Sequence, residues 1–180
     1  GSTVVISAKA NLYLKGIYIT ATDLIGMKNK YLVRLQANGV KVEIDSCHLN
    51  GTTSSAIRVD NNNGRVFVKN SLISNLGGSW SEGRAVDNRN IIIDTLSFEN
   101  CTFYRLSAQA YRDGGGTLNY AYFNHNTFFD FGDRIGSFLK TKKIVFQNNL
   151  AVNCGFTGRL KTLPTSGRLI VMDTVRVGSL

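Results

Sequence analysis

Basic residues recur at matching points of a repeating chain. Arg34, Arg58, Arg112 and Lys140 stand on or beside short apolar runs, and Arg84 and Arg89 flank another. Guanidinium groups bind carboxylates and sulfates through paired hydrogen bonds. Spaced arginines therefore suit a polymer that carries acid groups at regular intervals. Two aromatic residues join them as candidate substrate contacts. Tyr111 precedes Arg112, and Trp80, the only tryptophan, lies in the insertion Gly77-Gly-Ser-Trp-Ser-Glu-Gly83. Nothing in the repeat requires an aromatic in that insertion, and irregular loops on a rigid scaffold commonly carry function. Either Trp80 folds back over the strand beneath, or its indole offers an apolar face to a sugar ring.

The acidic residues suggest less chemistry. Asp60, Asp87, Asp113 and Asp173 each end a short run, the first three just before Asn or Gly. Aspartate there most simply makes an Asx-turn onto the following backbone amides. Glu43 and Asp45 flank Ile44, so both carboxylates face one side of a strand. They could help hold calcium, or they pair with Lys41 and Lys69. His48 and His125 have no metal-ligand spacing, and no metal-binding set is assigned.

These residues depend on a template best seen at Asp94–Arg105. Leu96 and Phe98 alternate with Thr95, Ser97 and Glu99, which is the signature of a strand. Asn100 interrupts the alternation, and apolar residues resume at Cys101 and Phe103. The first column of the repeat reads Leu12, Val42, Val66, Leu96, Ala121 and Ile144, and the second Leu14, Ile44, Val68, Phe98, Phe123 and Phe146. Second-column residues are 30, 24, 30, 25 and 23 positions apart, so one turn of chain takes about that length. After the break come Ile17, Cys47, Ser71, Cys101, Asn126 and Asn149, and then Ile19, Leu49, Ile73, Phe103, Phe128 and Ala151. A fixed template without helical patterning predicts a solenoid of strands.

The fold expected is an all-β, right-handed, single-stranded parallel β-helix of six to seven coils, with about three strands per coil, occupying 1–180 as one domain. The break column reads Gly16, Ser46, Asn70, Asn100, His125 and Asn148. Asparagine suits it because it tolerates left-handed backbone angles and its amide can bond a stacked neighbour. Val175 and Val177 match the start of a seventh template. Either the chain belongs to a longer solenoid, or another chain covers that end by end-to-end association.

Lys plus Arg number 21 against 12 Asp plus Glu, a net charge of +9. That balance suits a polyanionic partner. Nucleic acid is not expected, for want of a known motif or interleaved base-stacking aromatics. No apolar run reaches the ~18 residues of a membrane span. Cys47 and Cys101 share a column two coils apart, hence roughly 9–10 Å at the strand spacing. That is beyond the ~7 Å limit for a disulfide, so both are read as small buried hydrophobes.

The phrases FENCTF, FNHNTF and FQNNLA, at 98–103, 123–128 and 146–151, resemble the β-helices of polysaccharide lyases. The likeness is to the chondroitinase B and alginate lyase group and to related Bacteroidetes lyase-like proteins. It implies a secreted, periplasmic or cell-surface protein that contacts an anionic uronate or sulfated polysaccharide. In that group calcium neutralises the uronate carboxylate, a lysine removes the adjacent proton and an arginine assists the leaving oxygen. The group's Lys-Ser and Arg-His-Gly signature is absent, so no catalytic residue transfers by motif. The leading expectation is therefore a binding domain that is not itself a competent enzyme and needs no cofactor. A lyase working by β-elimination is the alternative, with Lys69 as base and Arg58 as its partner, on the ground that they could neighbour each other on the outer face. A structural module of a tailspike or adhesin is a further one. Polygalacturonase-like and calcium pectate lyase patterns are missing, the latter because Pro164 is the only proline.

Overall fold

A computed structural model describes residues 4–22, 29–78, 82–154 and 170–172, the last three by backbone alone. Three parallel sheets run the length of the molecule. The first contains β1 (Val4–Ala8), β4 (Tyr31–Leu35), β7 (Ser55–Val59), β10 (Arg84–Asn88), β13 (Tyr111–Arg112), β16 (Gly136–Phe138) and β19 (Ile170–Met172). The second contains β2 (Leu12–Lys15), β5 (Lys41–Asp45), β8 (Gly64–Lys69), β11 (Ile92–Glu99), β14 (Thr117–Asn124) and β17 (Thr141–Gln147). The third contains β3 (Tyr18–Thr20), β6 (His48–Asn50), β9 (Leu72–Leu76), β12 (Thr102–Leu106), β15 (Thr127–Phe129) and β18 (Leu150–Val152). Each coil visits the three sheets in turn, giving a parallel β-solenoid of about six turns. Among the described residues there is no helix, and none is long and apolar enough to cross a membrane.

The register follows the expected columns. Leu14, Ile44, Val68, Phe98, Phe123 and Phe146 pair in succession along the second sheet. The four inner members are fully buried, while Leu14 and Phe146, at the ends of the described stack, are half-buried. Phenylalanine fills the later coils. Phe103 lies flat on Phe128 at 4.9 Å, and Phe98 meets Phe103 edge-on at 5.0 Å, both favoured ring arrangements.

The break column is a line of left-handed residues. Gly16, Ser46, Asn70, Asn100, His125 and Asn148 all have φ between 52° and 66°. Their amides stack as expected: Asn100 donates to Asn70 Oδ1 at 2.9 Å, and Asn70 donates to Asp45 Oδ1 at 3.0 Å. The next column supplies inward caps. The Ser71 hydroxyl and the Asn126 and Asn149 amide oxygens accept the backbone N–H of Cys47, Cys101 and Asn126, at 3.1, 3.0 and 2.8 Å. Amides freed by the bend are thereby satisfied inside the solenoid. A second bend, after the third sheet, forms another left-handed line at Gly51, Asn75, Arg105, Asp130 and Asn153.

The cysteines behave as small hydrophobes. Cys47 and Cys101 are buried and free, with Ser71 between them in the stack, and burial pushes the Cys101 thiol up to about 12. Trp80, Pro164, Asp173, Val175 and Val177 lie outside the described residues.

Candidate functional site

The arginine column forms, but not as an open stripe. On the first sheet Arg34, Arg58, Asp87, Arg112 and Ser137 occupy one register position in successive coils. An acid therefore sits between Arg58 and Arg112. Asp60 bridges the two earlier arginines, with its carboxylate 2.6 Å from Arg34 Nε and 2.7 Å from Arg58 Nε. Asp87, wholly buried, lies 3.3 Å from Arg58, 3.1 Å from Arg89 and 3.7 Å from Arg84. Asp60 and Asp87 are thus guanidinium partners, where the sequence suggested Asx-turns. A carboxylate that receives guanidinium donors is held by charge-assisted bonds, stronger than an ordinary turn contact.

Arg84 is a correction too. Its side chain is 2% exposed, lying 3.6 Å from Glu82 as well as near Asp87, so it supports the surface from beneath instead of touching a substrate. Burial pushes its pKa below the ordinary arginine value, against the pull of Asp87. On Arg89 the same carboxylate outweighs burial, and the pKa is raised by that neighbouring charge. Tyr111 is likewise core: it is fully buried, packs on Phe138 at 5.2 Å, and its hydroxyl accepts from Asn88 Nδ2 at 3.3 Å. Burial raises its pKa.

Around this network lies a concavity of about 460 Å³, lined by Lys30, Tyr31, Thr53, Ser54, Arg58, Glu82 and Arg89. Three cations face one carboxylate there, and that carboxylate is engaged by the Ser54 hydroxyl. Tyr31 orders the guanidinium groups. Its hydroxyl accepts from Arg58 at 3.0 Å, and its ring carries Arg58 at 5.3 Å and Arg34 at 5.7 Å. The geometry offers fixed, planar donors beside an aromatic ring, a combination suited to carboxylate or sulfate recognition.

Other sequence candidates lie elsewhere. Lys140 is on an exposed turn, donating to the Gly115 carbonyl at 2.9 Å. Arg112 is half-buried in the arginine column. Lys69 is on the second sheet and lines a separate cleft of about 230 Å³ with Tyr13, Glu43, Asp45, Phe67, Ser97 and Glu99. Lys69 and Arg58 belong to different sheets and line different concavities, so they do not form the base and partner the sequence suggested.

Two of the three carboxylates of the second cleft, Glu43 and Asp45, pair with lysines, as one of the two readings of them had it. Glu43 lies 2.7 Å from Lys41, and Asp45 lies 3.6 Å from Lys69. The Asn70 hydrogen bond, helped by Ser46 and Lys69, holds the Asp45 pKa below its usual value against burial. Among the described residues no group of three or more His, Cys, Asp or Glu is placed to hold a metal ion. His125 occupies the left-handed bend, and His48 shares a hydrogen bond with Ser74 Oγ at 2.7 Å.

Lys30, Tyr31 and Glu82 were not singled out from sequence. A usable signal was present: Tyr31, Ser55 and Arg84 pair in succession, so aligning the short strands as closely as the long ones brings Tyr31 to Arg84. Compared with protein-family models, curated proteins and solved structures, the chain matches none. The parallel β-solenoid is consistent with the β-helix fold that the sequence resemblance implies, and fold alone does not assign activity.

Proposed function

We propose that this solenoid contacts an anionic polysaccharide, uronate or sulfated, at the arginine corner, as a binding surface and not as a catalyst. The observation that carries the reading is the convergence of Lys30, Arg58 and Arg89 on one concavity, with Arg58 and Arg89 anchored from behind by Asp87. Donors fixed before the ligand arrives lose less freedom on binding, which favours affinity. The net charge of +9 adds long-range attraction for a polyanion.

Calorimetric titration with heparin and polygalacturonate oligosaccharides tests this. Binding is expected to weaken as salt rises. Arg89, whose side chain is 45% exposed, is the most accessible of the three arginines on Asp87. Arg89→Ala should weaken binding about tenfold, the usual loss for a hydrogen bond to a charged group. Absence of binding to both polymers, or equal binding by Arg89→Ala and Lys30→Ala, overturns the reading. The same mixtures, followed by ultraviolet absorbance, report unsaturated uronate if the chain cleaves by β-elimination. Such a signal would replace the binding reading with the enzymatic one.

A further inference from the structure

The outer face of the second sheet carries a period that the fold does not need. Tyr13, Glu43, Phe67, Ser97 and Tyr122 pair in succession, so an aromatic ring stands on every second coil. Two coils advance roughly 10 Å along the solenoid. Tyr13 is 57% exposed, and Phe67 and Tyr122 are half-buried with part of their surface in solvent. The core is complete without them, because the inward positions of the same strands are filled by Ile44, Val68, Phe98 and Phe123.

The charges beside these rings are compensated within the face. Lys41 pairs with Glu43, Lys69 with Asp45, and the Ser97 hydroxyl donates to Glu99 at 3.2 Å. The cleft around Phe67 is lined by one ammonium, Lys69, against the carboxylates of Glu43, Asp45 and Glu99. Such a compensated face gives a polyanion little attraction, whereas the hydroxyls of an uncharged sugar can donate to those carboxylates.

We propose that this face binds an uncharged β-1,4-linked glycan in its extended two-fold ribbon, with every second sugar stacked on Tyr13, Phe67 and Tyr122. In such a ribbon successive rings are turned by half a turn, so alternate residues show the same apolar face to one side. One sugar residue advances by roughly one coil. The stacked residues meet the aromatic coils, and the residues between them lie over the carboxylates of Glu43 and, in the coil of buried Ser97, exposed Glu99, which accept hydrogen bonds from their hydroxyls. This site is separate from the arginine corner and does not rest on it.

Calorimetry with β-1,4-linked gluco- and manno-oligosaccharides of three to six residues tests the spacing. A triose spans two aromatic coils and a pentaose three. Affinity should therefore rise between triose and pentaose by roughly three- to tenfold, the worth of one more ring contact, and little between triose and tetraose. Maltohexaose, α-linked and curved, should bind much more weakly. High salt should leave the β-linked hexaose affinity in place while it weakens polyanion binding at the arginine corner. Tyr13→Ala should remove the pentaose gain at an unchanged melting temperature, and Tyr13→Phe should restore it. Affinity rising evenly with every residue, equal binding of maltohexaose, no binding of either β-linked hexaose, or an undiminished pentaose gain in Tyr13→Ala overturns the proposal.

Discussion

At the arginine corner, Arg58, Arg84 and Arg89 converge on Asp87, which is wholly buried. On the second sheet, Lys69 stands 57% exposed over Asp45. Both regions use the same coils and similar residue types, but they hold their charges differently. Corner side chains hold one another, and part of that network lies where water cannot replace a lost partner. Second-sheet side chains stand on a backbone ladder that needs none of them. The proposed binding and stability are therefore coupled in the first region and separable in the second, where the outer residues can change without disturbing the coil.

The largest effect expected is for Asp87→Ala. Breaking a buried ionic cluster leaves its partner charges desolvated, which typically costs about 3–5 kcal/mol. Denaturant unfolding measures this directly. A loss below about 1 kcal/mol would erase the distinction between the two regions.

A bend residue outside both regions should respond with the opposite sign. Arg105 has φ of 56°, in a column otherwise occupied by Gly51, Asn75, Asp130 and Asn153. Its compensations are an exposed ion pair to Asp130 at 3.7 Å and a contact with the Tyr104 ring at 5.3 Å. Arg105→Asn relieves left-handed strain of order 1 kcal/mol and gives up a surface pair of less value. A net gain of about 0.5 kcal/mol is expected from chemical denaturation, and a loss would mean that the Tyr104 and Asp130 contacts outweigh the strain.

These cases also mark what the sequence made legible. The long-strand columns and the first bend are local signals: alternation interrupted by Gly, Ser, Asn or His at a constant offset. The second bend lay hidden because Arg105, in the middle of its column, does not look like a left-handed residue. The arginines could be found by type, but their partners could not. Asp60 and Asp87 both precede an asparagine and look equivalent in sequence. Register separates them, since Asp87 lies level with Arg58 while Asp60 falls two positions later. The burial of Arg84 and Tyr111 follows from the three-dimensional closing of the coil, for which no short-range pattern exists.

Lys69→Ala should do almost nothing to the fold. Asp45 keeps its hydrogen bonds from Asn70 and Ser46, each at 3.0 Å, when the ammonium is removed. A stability change within about 0.5 kcal/mol is expected, as for most exposed pairs. A larger loss would show that the second-sheet face is as interdependent as the corner.

The smallest effect is a pH dependence confined to the third sheet, where it can be separated from both regions. His48 is half-buried, with Tyr18 tilted against it at 4.9 Å and Ser74 Oγ at 2.7 Å from Nε2. The Ser74 hydroxyl also donates to Asn50 Oδ1 at 3.0 Å, so its oxygen accepts a hydrogen bond from the Nε2–H of the neutral imidazole. Burial lowers the His48 pKa from 6.5. Between that value and the lower folded one, the unfolded chain binds more protons than the folded chain, so stability rises with pH. Equivalently, stability is fully present above 6.5 and declines as pH falls through the folded pKa. Guanidinium groups do not titrate in this range, so the arginine pairs are insensitive to it. Melting temperatures should therefore decline as pH is lowered from 6.5, and His48→Gln should flatten that decline while Arg89→Ala leaves it intact. An equal decline in His48→Gln would assign the dependence to other groups, and a decline abolished by Arg89→Ala would tie it to the corner.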